Sequence, residues 1–288
     1  MKAKTVLLIL AAATALAACS SDESTSVDNS TSAVKFSGGI STRASGTSWT
    51  SGDLVGITAA AENSGTTNYT NEEYSSDASG NFTYKSGDEI YYKDANAVDF
   101  TAYYPFSGET GTAASKVTKT IDADDESSTG KPAIDYLYAT KTGVAKGTTV
   151  TFAFAHEMSE LTLKFISGSG SPDITDLSYT LSGIVLTGTF IPTTGDAATS
   201  GTTTGSLSMS NVNTSSTLIL FPNSSTSSAT LSVTSGSVTY TASFTVPVMT
   251  SANNYEIDVS MNKTGLSISN STITNWASGG TTTATATV

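Results

Sequence analysis

The sequence predicts an all-β protein built as two tandem β-sandwich domains. Three observations carry that expectation. No window of the 288 residues shows helical periodicity, whereas short apolar–polar alternations recur along the chain. Gly, Asn, Asp and Ser cluster between these alternations as turn signals. The composition has 12 Tyr, 10 Phe, abundant Ser, Thr and Gly, and only 13% charged residues. It suits an extracellular β protein better than a disordered chain, whose signature is high charge with few aromatics.

The chain opens with Met1, Lys2 and Lys4, then an apolar run from Val6 to Ala18. A basic start, a short apolar stretch and small residues before a cut are the parts of a secretory signal, here residues 1–18. The run is shorter than the ~20 residues of a permanent membrane helix. Leu16-Ala17-Ala18-Cys19 resembles a bacterial lipobox, which implies cleavage before Cys19, lipids on that cysteine and a tethered chain facing outward from a bacterial cell. An ordinary cleaved signal with a chance cysteine is the competing reading. Residues 19–33 are polar, small and acidic and read as a flexible tether. Within them, Ser20-Ser21-Asp22-Glu23 resembles the acidic export signals of Bacteroidetes surface lipoproteins, although a solvated linker explains it equally well. Cys19 is the only cysteine, so no disulfide staples the fold and packed cores must stabilise it. A net charge of −12 argues against nucleic acid or an anionic membrane surface as partner, since both require a basic face.

The first strand is expected where Val34, Phe36 and Ile40 share one face by period two. A polar stretch with Arg43 in its middle follows, and Trp49 then leads to a short strand at Leu54-Val55-Gly56-Ile57. Further strands are expected at Phe82 with Tyr84, and at Ile90 with Tyr92. Val98, Phe100, Ala102 and Tyr104 line one face of another, ended by Pro105. Val117 with Ile121, and Ile134 with Tyr136 and Tyr138, give two more. The loop at residues 143–147 is the expected boundary, giving an N-terminal sandwich over 34–145 and a C-terminal sandwich over 146–288. In the second half Val150, Phe152 and Phe154 alternate, then Leu161, Leu163 and Phe165 follow a break at His156-Glu157. Leu218 to Phe221 and Leu231 with Val233 come next. The series from Val238 to Val246 and from Tyr255 to Met261 are the cleanest alternations in the chain.

Residues with catalytic or metal-binding chemistry are sparse. His156 is the only histidine and is expected to be structural, at a bulge. With no second histidine and no free cysteine, neither a common zinc site nor a Ser-His-Asp triad is legible. Asp122-Ala123-Asp124-Asp125-Glu126 offers oxygens for Ca²⁺ but lacks the Gly and Glu spacing of an EF-hand, and reads as a solvated acidic loop. Tyr91, Tyr92, Tyr103 and Tyr104 could stack on sugars, yet at least half must be core by their alternation. Gly38-Gly39 and Gly279-Gly280 lack the Lys and helix of a phosphate loop. No catalytic residue, metal or cofactor is therefore expected.

Several motifs together resemble the fimbrillin-like family of Bacteroidetes. They are Ile40-Ser41-Thr42-Arg43-Ala44, Trp49-x-x-Gly52-Asp53-x-Val55-Gly56-Ile57 and Asp99-Phe100-x-Ala102-Tyr103-Tyr104-Pro105. Asp135-Tyr136-Leu137-Tyr138-Ala139, Phe152-x-Phe154-x-His156-x-Met158-Ser159-x-Leu161, Lys263-Thr264-Gly265-Leu266 and Ile273-x-x-Trp276 follow in order. The resemblance implies two transthyretin-like Greek-key sandwiches and a non-enzymatic role as a type V pilus subunit or accessory adhesin. Its partners would be other pilus subunits, with a host or bacterial receptor or glycan as a further candidate. Its location would be the outer membrane, surface-exposed, then the fimbrium after processing.

The same resemblance implies a cut by an arginine-specific protease in the loop after the first strand. Arg43 lies there, before Ala44, and is the only arginine in the sequence. The cut would release the strand bearing Val34, Phe36 and Ile40, and a strand from another subunit would fill the groove. The alternative leaves Arg43 a solvated loop residue and the first strand permanent. Ala284, Ala286 and Val288 share one face of a candidate donor strand, but they are too small to replace Phe36 and Ile40, each worth about 2 kcal/mol when buried. A tip or minor subunit is thus as consistent with the sequence as a shaft subunit. The rival reading is a surface lipoprotein that binds glycans and never polymerises; a secreted hydrolase would need a catalytic constellation that is not legible.

Overall fold

The computed structural model describes residues 33–40, 48–170 and 172–275, and the architecture is almost entirely strand. In chain order the first elements are β1 (Phe36–Ile40), β2 (Leu54–Ala61), β3 (Tyr69–Ser76), β4 (Asn81–Tyr84) and β5 (Val98–Tyr104). Next come β6 (Val117–Thr120), a single-turn helix α1 (Lys131–Ile134), β7 (Leu137–Val144) and β8 (Val150–His156). Seven of these strands close into a barrel in the order β1-β4-β3-β2-β5-β7-β8, with β8 returning to β1. The sheet expected to form a sandwich in this half closes into a barrel. The reason is that β1 is hydrogen-bonded on both sides and leaves no edge. Its core holds the period-two residues expected from the sequence, among them Val98, Phe100, Ala102 and Tyr104.

The second half comprises β9 (Ser159–Ser167), β10 (Leu177–Val185), β11 (Thr187–Phe190), β12 (Ala197–Thr199) and β13 (Thr204–Val212). It continues with β14 (Ser215–Leu220), β15 (Ser227–Ser235), β16 (Val238–Val246), β17 (Asn253–Asn262) and β18 (Gly265–Asn275). Two four-stranded sheets, β13-β10-β15-β16 and β14-β9-β17-β18, send their inward residues into one core, which makes a sandwich. A small sheet, β12-β11-β6, completes it. Outward positions carry hydroxyl ladders such as Thr230–Ser243, Ser232–Thr241 and Thr234–Thr239 across β15 and β16. The Ser/Thr-rich composition is therefore the solvent face of regular strands.

The cores do not divide at residue 145. Phe152 and Phe154 of β8 lie in the barrel core, because β8 supplies the strand against which β1 closes. The chain crosses over immediately afterwards: Met158 is already in the sandwich core. In the opposite sense, β6 pairs with β11, and Ile121, Ile134 and Tyr136 belong to the sandwich core. Tyr103 and Tyr104 show the division within one strand, Tyr103 facing the sandwich core and its neighbour the barrel core.

Three further expectations change. Ile90 and Tyr92 lie outside any strand, although Ile90 is buried and its carbonyl accepts the Val34 N–H at 2.8 Å. Ile134 ends α1 rather than beginning a strand. The alternation of β16 is correct in phase but only Val246 is fully buried, since β16 is an edge strand.

Candidate functional site

The site is the groove occupied by β1. Val34, Phe36 and Ile40 are all buried, as their spacing predicts. Phe36 meets Tyr74 and Phe100 edge-on at ring-centroid distances of 5.1 and 5.2 Å, and stacks near Phe152 at 6.0 Å. Burying three such side chains is worth about 2 kcal/mol each, a sum comparable to the net stability of a whole domain, ~5–15 kcal/mol. Removing β1 would therefore leave a barrel of marginal stability unless something replaced it.

The pairing of β1 is lopsided. It runs parallel to β8 over five residue pairs, from Phe36 opposite Val150 to Ile40 opposite Phe154. On the other side only Phe36 and Ser37 pair with β4. Where Val34 and Lys35 diverge from Thr83 and Tyr84, a cavity of about 630 Å³ opens.

Gly38 is fixed from both directions. Its N–H donates to the Gly80 carbonyl at 2.8 Å, and its carbonyl accepts the Trp49 indole N–H at 2.6 Å. The turn that presents Gly80 is shaped by Asp77, whose carboxylate accepts the N–H groups of Ser79 and Asn81. Trp49, Phe82 and Phe154 make a mutual edge-on cluster at 5.2–6.0 Å over this point. A Cβ on Gly38 would lie 2.6 Å from Phe154 Cε2 and 3.0 Å from Phe82 Cζ, whereas a Cβ on Gly39 would meet nothing within 4 Å. One of two adjacent glycines is thus required by the packing, a distinction invisible in the sequence.

The other residues with possible chemistry are structural. The Asp135 carboxylate accepts a 2.6 Å hydrogen bond from His156 Nδ1, both groups buried where the chain passes between the cores. His156 ends β8, and no register shift marks a bulge there. Glu126 is not solvated: its fully buried carboxylate accepts the Ile219 N–H through both oxygens at 3.0 and 3.1 Å, and burial pushes its pKa up to about 8. Lys131, 3.9 Å from that carboxylate, donates to the Thr217 carbonyl. Together they cap the outer edge of β14. Burial likewise raises Glu157 and Glu160 to about 7. The rest of the acidic loop hydrogen-bonds to itself, Asp122 accepting the Asp124 and Asp125 N–H groups. Among the described residues no group of three His, Cys, Asp or Glu is set to hold a metal. Tyr103 and Tyr104 are buried and Tyr91 and Tyr92 half-buried, with the Tyr92 hydroxyl donating to the Val144 carbonyl.

Cys19, Arg43, Ala44, Trp276, Ala284, Ala286 and Val288 lie outside the described residues. Among the described residues no helix is long and apolar enough to cross a membrane.

The architecture is all-β, a closed barrel and a sandwich, with the first strand completing the barrel. The chain belongs to the fimbrillin-like family, which it matches over residues 42–276. It is similar to the crystal structure of a candidate cell adhesion protein from Bacteroides ovatus, at 25% identity and TM-score 0.77, covering 86% of this chain and 99% of that one. A second candidate cell adhesion protein, from Bacteroides uniformis, shares the fold at 22% identity and TM-score 0.67, covering 85% and 98% of the two chains. Among curated proteins no relative matches. The family, with the Bacteroides ovatus neighbour, supports a fimbrial or adhesin role at the cell surface, in association with other pilus subunits.

Proposed function

We propose that this chain is a subunit or accessory adhesin of a type V fimbrium. It is exported as a lipoprotein anchored in the outer membrane through Cys19, then hydrolysed at the bond between Arg43 and Ala44. The fragment ending at Arg43 carries β1, and its departure exposes the edges of β4 and β8 and the pocket of Phe36. A strand from another subunit adds to those edges, its main chain supplying attachment and its alternate side chains setting register. The outcome is a polymer, or a tip or anchor bound to one, that attaches the cell to hosts, neighbouring cells or surfaces.

The observation that carries this reading is the place of β1. It contributes a full set of core side chains to the barrel, yet only the segment 41–47, with the single arginine, joins it to Ser48 and the rest of the body. Of the tyrosines that could serve the glycan-binding alternative, Tyr103 and Tyr104 are buried in the cores and offer no platform.

The test is limited digestion of the lipid-free precursor with an arginine-specific protease, followed by N-terminal sequencing and size-exclusion chromatography. A single new N-terminus at Ala44 and concentration-dependent oligomers are expected. Resistance at Arg43, or a cut species that stays monomeric with its first strand bound, would overturn the polymerising role.

A further inference from the structure

We propose that the groove under β1 selects its incoming strand by a glycine notch, and that the strand it accepts from another subunit carries the pattern bulky–x–Gly–x–bulky, which residues 281–288 of this chain lack. The inference rests on the strand-exchange reading and names the kind of strand that reading leaves open.

The template for the partner is the strand already in place. Phe36 and Ile40 fill the barrel on either side of Gly38, where the rings of Phe154 and Phe82 lie against the backbone. These rings are held by Trp49, packed at 5.3 Å from Phe82 and 5.2 Å from Phe154, so they cannot swing away singly. Close packing of this kind resists even one added methyl. An incoming strand with any Cβ at that register would have to displace the cluster and with it the indole that bonds the strand's carbonyl. The pattern reads the same in both chain directions, so the constraint holds for a parallel or an antiparallel arrival.

Within this sequence the pattern recurs at residues 181–185 and 186–190. Both places are strands of the sandwich, where Gly188 in turn accommodates Phe221, 2.1 Å from a Cβ built on that glycine. Neither is a segment that could be lent. Residues 276–288 do not carry the pattern: Gly279 is flanked at two residues by Ala277 and Thr281, Gly280 by Ser278 and Thr282. Ala284, Ala286 and Val288 have a Cβ at every inward position. A copy of this chain therefore does not supply the strand through residues 281–288.

The experiment uses the full chain with Cys19→Ser, cut at Arg43, and labelled peptides in excess. The peptides are residues 33–41 as they stand, the same with G38A, the same with G39A, and residues 281–288. Native mass spectrometry reads the exchange of the bound fragment, and tryptophan fluorescence follows Trp49. The unchanged and G39A peptides are expected to exchange with equal affinity, G38A at least tenfold more weakly, and residues 281–288 not at all. In the intact chain, G38A should lower the denaturant midpoint and G39A should not. Equal affinity of the G38A and unchanged peptides, or exchange by residues 281–288, would overturn the notch while leaving strand exchange intact. Failure of even the unchanged peptide to exchange would overturn strand exchange itself, and the docking inference with it.

Discussion

The barrel is closed by a five-residue strand with five ladder pairs on one side and two on the other. The sandwich is held instead by strands such as β17, with eight parallel pairs to β9 and ten antiparallel pairs to β18. Both regions use one parallel pairing to join distant parts of the chain, but only the barrel assigns that task to a strand of five residues. Edge treatment differs as well. The sandwich buries Glu126 and Lys131 against the backbone of β14, covering that edge with side chains from the α1 segment. The barrel covers the edges of β4 and β8 with β1 alone. The two regions thus differ in how an edge is covered: one edge of the sandwich is capped by side chains, whereas the barrel is closed by the pairing of one short strand.

The largest expected effect breaks the seal directly. Phe36→Ala should cost about 3–5 kcal/mol in equilibrium denaturation, the range for truncating a buried phenylalanine. Phe165→Ala, in the sandwich core, should cost a similar amount. Only Phe36→Ala should make the fragment ending at Arg43 leave spontaneously after the cut, as read by size-exclusion chromatography.

The second effect is a dependence of stability on pH. Glu126, Glu157 and Glu160 have folded pKa values raised from 4.5 to about 8, 7 and 7 by burial. Their contribution to stability is complete below pH 4.5 and is lost as pH rises through 7 to 8. Asp77, Asp94 and Asp173, held below 3.8 by hydrogen bonds to their carboxylates, act in the opposite sense and only in more acidic solution. Thermal midpoints should therefore fall between pH 5 and pH 8.5, with values on this window's scale set by the glutamates. Glu126→Gln keeps an acceptor for Ile219 and removes the charge, so it should flatten this fall and raise stability at pH 8.5. An undiminished slope in that variant would reject Glu126 as its source.

A smaller loss is expected from Trp49→Phe, which keeps an aromatic ring but removes the indole donor to Gly38. Chemical denaturation should show about 1 kcal/mol for the hydrogen bond, with some addition for the lost ring volume. The smallest effect lies on the outside of the sandwich. Thr241→Val removes one hydroxyl of an exposed ladder and should change stability by less than about 0.5 kcal/mol.

Much of the burial was legible in the sequence, because period two in the strands reports it directly. Val34, Phe36 and Ile40, the face from Val98 to Tyr104, and the series from Tyr255 to Met261 all fall where alternation places them. Core membership was not legible. The pattern of Val150, Phe152 and Phe154 says that one face is buried, not which core receives it, and the pairing of β8 with β1 across more than 110 residues decides that. Ile90 differs from its expected strand for a related reason: it lies outside any strand yet packs in the barrel core and accepts the Val34 N–H, so an apolar residue stands without a strand around it. Glu126 carried no signal of burial, since its sequence neighbours are acidic and its partner, the Ile219 N–H, is 93 residues away. The role of Gly38 was hidden because a ring approaching a backbone leaves no mark on the glycine itself. Arg43 stands out in the sequence as the sole arginine, three residues after Ile40.

The measurement that tests the account most directly is amide hydrogen exchange on the intact chain and on the chain cut at Arg43, with the fragment exchanged out in mild denaturant. The account predicts that protection falls in β4 and β8, the two neighbours of β1, while β9, β10 and β17 keep theirs. Unchanged protection in β4 and β8, or equal loss in the sandwich, would contradict the claim that β1 is a separable seal on the barrel.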